Sequence, residues 1–300
     1  MEPVKDYTIK NGIDVSELVK QMGTSGGFTS KKLAVGVDII KRMTEDKSSL
    51  NFLSFPADII ATVTRGIIRD MVKEKLFDVI ITTCGTLDHD LARSFKDYYH
   101  GSFDMDDADL HKRGINRLGN ILIPNESYGR IIEEKMRAYL KELPSRQLAT
   151  YELVWEMGKH LKQDSIMYWC WKNKIPMIVP GITDGAVGYQ LWQYSQNHNL
   201  KIDVLKDEKL LSDLVWNAKK SGALIIGGGI SKHHVLWHSQ FIGGLDNAVY
   251  ITTAVEYDGS LSGARPKEAV SWGKIKEKAK HITIEGDATI ILPIIFAALI

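Results

Sequence analysis

Short apolar runs separated by helix-length amphipathic stretches recur along this chain. The runs are DVIITT (78–83), NILIP (120–124), PMIVP (176–180), ALIIGGG (223–229), AVYITT (248–253) and HITIEGD (281–287). Nearly all lack the in/out alternation of a half-exposed sheet, which predicts strands covered on both faces, as in parallel sheets. Between them, IIATVTRGIIRDMVKEK (59–75) and DEKLLSDLVWNAKK (207–220) place apolar residues at three- and four-residue steps with charges between, the periodicity of amphipathic helices. A further helix is expected around 128–142. The alternation predicts an α/β fold with a doubly wound, mostly parallel sheet of Rossmann-like architecture in one large domain.

The two chain ends read differently. The opening residues, with GTSGGFTS at 23–30, look like a flexible turn between two short helices that could serve as an arm. The final IILPIIFAALI (290–300) is strongly apolar, but it is shorter than the ~20 residues needed to cross a bilayer. It is expected to be a core element. The N-terminus has no apolar stretch resembling a secretory signal.

Charge and cysteine usage narrow the function classes. Lys plus Arg number 38 against 37 Asp plus Glu, so a net charge of +1 supplies no overall field for nucleic acid or an anionic membrane, and neither partner is expected. Two cysteines cannot build a disulfide framework or a thiolate-rich metal site, which fits a reducing cytoplasm. Hydrophobic residues at 44% and charged residues at 25% are globular values that exclude a disordered chain.

Open parallel sheets bind ligands beyond the carboxyl ends of their strands, so the residues just after each run carry the most information. There stand Thr83, Cys84 and Gly85; Asp184 in GITDG; Gly227, Gly228 and Gly229; Glu256, Asp258 and Gly259; and Asp287. Glycines let backbone amides approach a pyrophosphate, and strand-end carboxylates accept bonds from ribose hydroxyls. Together they suit a dinucleotide, although no GxGxxG opens a helix. A tight turn explains the triple glycine equally well.

Three other groups carry possible chemistry. Lys232, His233 and His234 follow the triple glycine; adjacent histidines point apart, so no metal site is expected, and proton handling by one histidine competes with a purely structural role. The segment EYDGSLSGARPKEAVSWGKIK (256–276) resolves into a helix start with Glu268, Trp272 and Lys274 close together. A lysine nucleophile acts in its uncharged form, which an indole wall favours by desolvation; the alternative is a surface lysine lying along a tryptophan. The aspartates at 104, 106, 107 and 109 read as a solvated loop.

Four strings, GINRLGNILIPNE (114–126), ITDGAVG (182–188), GGGISKHH (227–234) and EYDGSLSGARPKEAVSWGKI (256–275), closely resemble the deoxyhypusine synthase family, in its archaeal type. The match runs from about residue 50 to the C-terminus, dividing the chain into an N-terminal helical arm (1–45) and an NAD-binding catalytic domain (46–300). The resemblance implies NAD-dependent transfer of the aminobutyl group of spermidine, or a related polyamine, to one lysine of the precursor of a hypusine-containing translation factor. It implies Lys274 as imine-forming nucleophile, His233 as acid/base partner, and Glu268, Trp272 and Gly259 as polyamine contacts. For NAD it implies Thr83, Gly85, Asp184, Gly227, Gly228, Gly229, Thr253, Asp258, Ser260, Ser262, Asp287 and Ala288. It also implies a homotetramer with active sites at a dimer interface.

The chain departs from the family pattern at one end of the implied amine site. Tyr189 and Leu261 stand where aspartates are usual, and Trp237 where an asparagine is usual. Near the cofactor, Ala57 and Ala61 replace serines and His89 replaces a glutamate, leaving Asp58, Asp88 or His89 as adenosine-side candidates. Homospermidine synthase, which passes the same fragment to putrescine, is the nearest competing reading. A non-catalytic NAD-binding protein and an ordinary dehydrogenase lie further off.

Overall fold

Five parallel strands, mostly aliphatic, form a sheet in the computed structural model, which describes residues 1–143 and 147–300. They are β1 (Ser49–Ser54), β2 (Val79–Ile81), β3 (Lys220–Ile226), β4 (Leu245–Thr252) and β5 (Ile275–Glu285), in the order β5-β4-β3-β1-β2. Leu53 sits opposite Leu224, Leu224 opposite Val249, and Ile251 opposite Ile284. All five side chains are buried, as expected of strands covered on both faces. From β1 the chain passes to β2 on one side and later returns to β3 on the other. The carboxyl ends of β1 and β3 therefore flank a topological switch point, where doubly wound sheets hold ligands.

This sheet belongs to a compact unit of residues 1–55, 76–81 and 209–300. Its helices are α1 (Val15–Ser25), α2 (Phe28–Glu45), α3 (Gly229–Ser239), α4 (Pro266–Ser271) and α5 (Ala288–Leu299). α2 is longer than the short helix expected. Its Leu33, Val37, Ile40 and Met43 recur at three- and four-residue steps and are buried, and the helix packs on β4 and β5. α5 takes up the apolar C-terminus. Ile291, Leu292 and Ile295 are buried, so one face is core as expected, while Ile290 and Ile300 remain exposed.

A second compact unit comprises residues 56–75 and 82–208. Residues 59–75, expected as one amphipathic helix, are not continuous. A 3₁₀ turn at Ala57–Ile60 precedes a helix confined to Arg65–Lys73, because the intervening Thr and Val residues lose side-chain freedom in a helix. The 120–124 run is a strand but not a parallel one: Ile121–Pro124 pairs antiparallel with Ile115–Leu118 and Tyr99–His100. The buried Asp90 carboxylate accepts bonds from Arg65 Nε (2.8 Å), Ser165 Oγ (2.7 Å) and the Met167 amide (2.9 Å), joining three segments. In the acidic cluster, Asp106 caps the helix Asp107–Lys112 and Asp107 pairs with Arg117 at 2.6 Å. Among the described residues no helix is long and apolar enough to cross a membrane.

Candidate active site

The carboxyl ends of β3, β4 and β5 form a row. The Gly227 amide donates to the Ile251 carbonyl (2.8 Å) and the Gly286 amide to the Thr252 carbonyl (3.0 Å), so Gly227, Thr253 and Asp287 leave the sheet side by side. Gly227 and Gly229 have φ of +67° and +66°, a backbone that L side chains rarely adopt. Gly228 lies against Ser262, and a β-carbon there would run into that residue's backbone. α3 starts at Gly229, directly behind this turn. Closely approachable amides at a helix N-terminus suit a phosphate group, so the residues present fit a dinucleotide.

The rest of the expected cofactor set divides between the two units. Asp258 and Ser260 join the row's own unit, where the Ser260 amide donates to Asp258 Oδ1 (2.6 Å), and hydrogen bonding from the Ser260 side chain and then its amide holds that carboxyl below the usual range. Asp287 caps α5 by accepting from the Thr289 amide (2.9 Å), and Ala288 begins that helix. Thr83, Gly85 and Asp184 belong to the second unit. Thr83 and Gly85 stand at the start of the helix Cys84–Arg93, and Asp184 is exposed in the turn before the helix Ala186–Ser195.

Beside the row, α3 and α4 wall a cavity of about 420 Å³, the size of a small-molecule site. Pro266 starts α4 with a preset φ, and the helix ends at Trp272, followed by Gly273 at φ +67°. The chain thus turns sharply enough for Glu268, Trp272 and Lys274 to line the same cavity, together with His233 from α3. The Lys274 Nζ lies 5.1 Å from the centre of the Trp272 ring, within cation–π range. Partial burial, reinforced by the positive charge of Lys274, lowers the pKa of His233 and favours the neutral imidazole, a proton acceptor. Gly259, expected at the amine, instead closes the 3₁₀ turn Glu256–Asp258 at φ +73° and is not among the lining residues.

Local sequence assigns Lys232 no role. In the fold it is almost wholly buried, its Nζ donating to the carbonyls of Leu261 (2.6 Å) and Ala264 (2.7 Å) and lying 4.1 Å from the Tyr250 ring centre. Burial pulls its pKa down to about 8, Glu268 opposing and Arg265 reinforcing the shift. The adjacent histidines do diverge as expected: His233 faces the cavity and stacks near Trp237, while His234 contacts His238 one turn along, with ring centres 4.9 Å apart.

A family model described as deoxyhypusine synthase matches residues 17–299. The chain belongs to the deoxyhypusine synthase family. A Picrophilus torridus protein named probable deoxyhypusine synthase is 57% identical over 300 residues, covering 99% of this chain and 96% of its own length. A Thermoplasma acidophilum protein of the same name is 52% identical, covering 98% and 96%. Among solved structures, an Entamoeba histolytica protein assigned as a deoxyhypusine synthase shares the fold, with a TM-score of 0.65 at 21% identity and 98% and 96% coverage. The chain is thus an enzyme of the deoxyhypusine synthase family, and its α/β sheet is that family's fold.

Within the deoxyhypusine synthase fold, two of the adenosine-side candidates are committed elsewhere. Asp88 is fully buried and accepts from the amides of Ala186 (2.8 Å) and Val187 (2.7 Å) and from the Tyr128 hydroxyl (2.7 Å). It fastens the ITDG turn and offers no free edge. His89 Nδ1 is 2.9 Å from the Tyr98 hydroxyl, and burial pulls its pKa down to about 4, keeping the ring neutral. Asp58 remains exposed. Neither internal bond had a local sequence signal, since the partners lie 9 to 99 positions away.

Proposed function

We propose that this enzyme transfers the aminobutyl group of spermidine or a related amine to a lysine of the precursor of a hypusine-containing translation factor, using NAD. One observation carries the reading: a single cavity is lined by His233, Glu268, Trp272 and Lys274. A cationic chain with methylene spacers calls for a carboxylate and aromatic faces, and Glu268 and Trp272 provide them.

NAD, when bound, supplies hydride acceptance and return. The residues of the first unit that would hold it are Gly227, Gly228 and Gly229, Thr253, Asp258, Ser260, Ser262, Asp287 and Ala288. The α3 N-terminus and the glycine amides suit its pyrophosphate. The Lys274 amine nitrogen would attack the carbon so oxidised, displacing 1,3-diaminopropane, and would hold the four-carbon fragment as an imine for the acceptor lysine. The neutral His233 ring accepts a proton at one nitrogen as an amine is released for reaction and returns it to the departing amine. The cavity wall restricts water, which would hydrolyse the imine.

The decisive experiment supplies labelled spermidine and NAD together with either the factor precursor or putrescine. Label on one lysine of the protein is the expected result. Label entering only putrescine would establish homospermidine synthesis instead, and net accumulation of NADH would mark a simple dehydrogenase. The same reading carries a homotetramer acting in the cytoplasm, and sedimentation of the purified enzyme tests the assembly.

A further inference from the structure

Lys274 immediately precedes β5, and its backbone is held from both sides. Its amide donates to the Ala269 carbonyl of α4 (3.0 Å), and its carbonyl accepts from the amide of Leu245, the first residue of β4 (3.1 Å). Gly244, at φ +99°, crosses so close that a β-carbon there would lie 2.8–2.9 Å from backbone atoms of Ile275 and Lys276.

The ladder between β4 and β5 does not run on unbroken from this point. Leu245 pairs with Ile275 but Asn247 pairs with Lys280, so Asp246 alone stands opposite residues 276–279. A bulge therefore separates Lys274 from the continuous pairing of residues 280–285 that anchors β5 to the sheet. An ion pair spans the interruption. Lys276 Nζ meets Asp246 Oδ1 (2.8 Å) and Oδ2 (2.9 Å), and the same carboxylate accepts from the Ser221 amide of β3 (3.0 Å).

We infer that Asp246 and Lys276 are positioning residues for Lys274: their ion pair pins the bulge to β3 and β4 and so keeps the lysine nucleophile in its reacting geometry. This rests on the aminobutyl-transfer reading above. All the contacts lie within one chain and do not depend on what a second subunit adds to the cavity. The two side chains are 34% and 28% exposed, and an ion pair that open to solvent adds little to global stability. Its effect is local. Without it the pairing of Asn247–Thr252 with Lys280–Glu285 persists, while residues 276–279 can shift and carry Lys274 with them. A displacement of about 1 Å at a reacting group can cost about 10²-fold in rate.

The test follows a single turnover of the purified enzyme with NAD and spermidine, quenched with borohydride at successive times. Mass spectrometry of the peptide containing Lys274 then gives the rate constant and the final amplitude of the adduct. Partial unfolding lowers the amplitude, whereas misplacement of the nucleophile lowers the rate constant. Lys276→Met and Asp246→Asn are each expected to lower the rate constant by about tenfold or more at full amplitude, with NADH affinity within about twofold of wild type. Asp246→Asn keeps an oxygen for the Ser221 amide, so its loss reports the ion pair. Lys276→Arg retains the pair and is expected to stay within about threefold of wild type. A smaller fall in Lys276→Met, a loss of amplitude alone, or an equal fall in Lys276→Arg overturns the inference. Absence of any adduct in the wild type defeats the aminobutyl-transfer reading itself.

Discussion

The Lys232 side-chain nitrogen lies 2.6 Å from the carbonyl oxygen of Leu261, so a side chain of α3 ties down the loop that follows β4. That loop carries Asp258, Ser260 and Ser262 and leads into α4 with Glu268. The bond connects the cofactor row to the amine cavity through one buried cation.

Replacing Lys232 with Met is expected to raise the KM for the amine more than it lowers kcat, because the loop loosens while Lys274 and His233 remain. The substitution also has a pH signature. The folded pKa of about 8 lies below the usual 10.5, so the unfolded chain holds the proton more tightly and folding stability rises between about pH 8 and 10.5. The gain is on the order of 3 kcal/mol by the usual conversion of a pKa shift. Urea titrations across that range should show the slope in the wild type and its loss in Lys232→Met.

Lys274→Ala is expected to abolish transfer and borohydride trapping while leaving NAD binding unchanged. Fluorescence titration with NADH and mass spectrometry of the trapped enzyme check the two halves separately. Unaltered transfer would remove the covalent mechanism.

His233→Gln is expected to lower kcat/KM by about 10²- to 10⁴-fold, the usual contribution of a general acid/base. The pKa of His233 is lowered, so its neutral form persists below the ordinary histidine value of 6.5. The acidic limb of the wild-type pH–rate profile should therefore fall below pH 6.5, and the component due to His233 should vanish in the variant.

Gly228→Ala is expected to weaken NAD binding by tenfold or more. Its φ of −153° suits any residue, so the penalty is steric: the new methyl meets the Ser262 amide and α-carbon. Because those atoms are backbone, adding Ser262→Gly should not restore affinity, which calorimetry can check.

Asp88→Asn is expected to cost about 1–3 kcal/mol of stability, since one of the carboxylate's bonds from Val187 (2.7 Å) and Ala186 (2.8 Å) meets an amide donor instead. Tyr128→Phe, which removes only the third bond, should cost less. Denaturant unfolding of both variants gives the comparison.

Much of this enzyme was legible in the chain itself. The unalternating runs at 223–229 and 248–253 announced parallel strands because burial on both faces demands apolar residues at every position. The glycines and carboxylates after those runs marked the ligand row, since strand ends and their following turns are contiguous in sequence. Glu268, Trp272 and Lys274 were readable together because they span one short helix and its turn.

Other features depended on contacts between distant segments. β1, with polar Ser49, Asn51 and Ser54 among its apolar residues, has no strong pattern of its own; it is a strand because β2 and β3 flank it. Ile121–Pro124 is apolar yet antiparallel, since its pairing is set by the hairpin it forms with Ile115–Leu118. The commitments of Lys232 and Asp88 arise only when carbonyls and amides tens of residues away arrive beside them. Local sequence carries periodicity and turn chemistry, but which buried charge meets which backbone group is decided by packing.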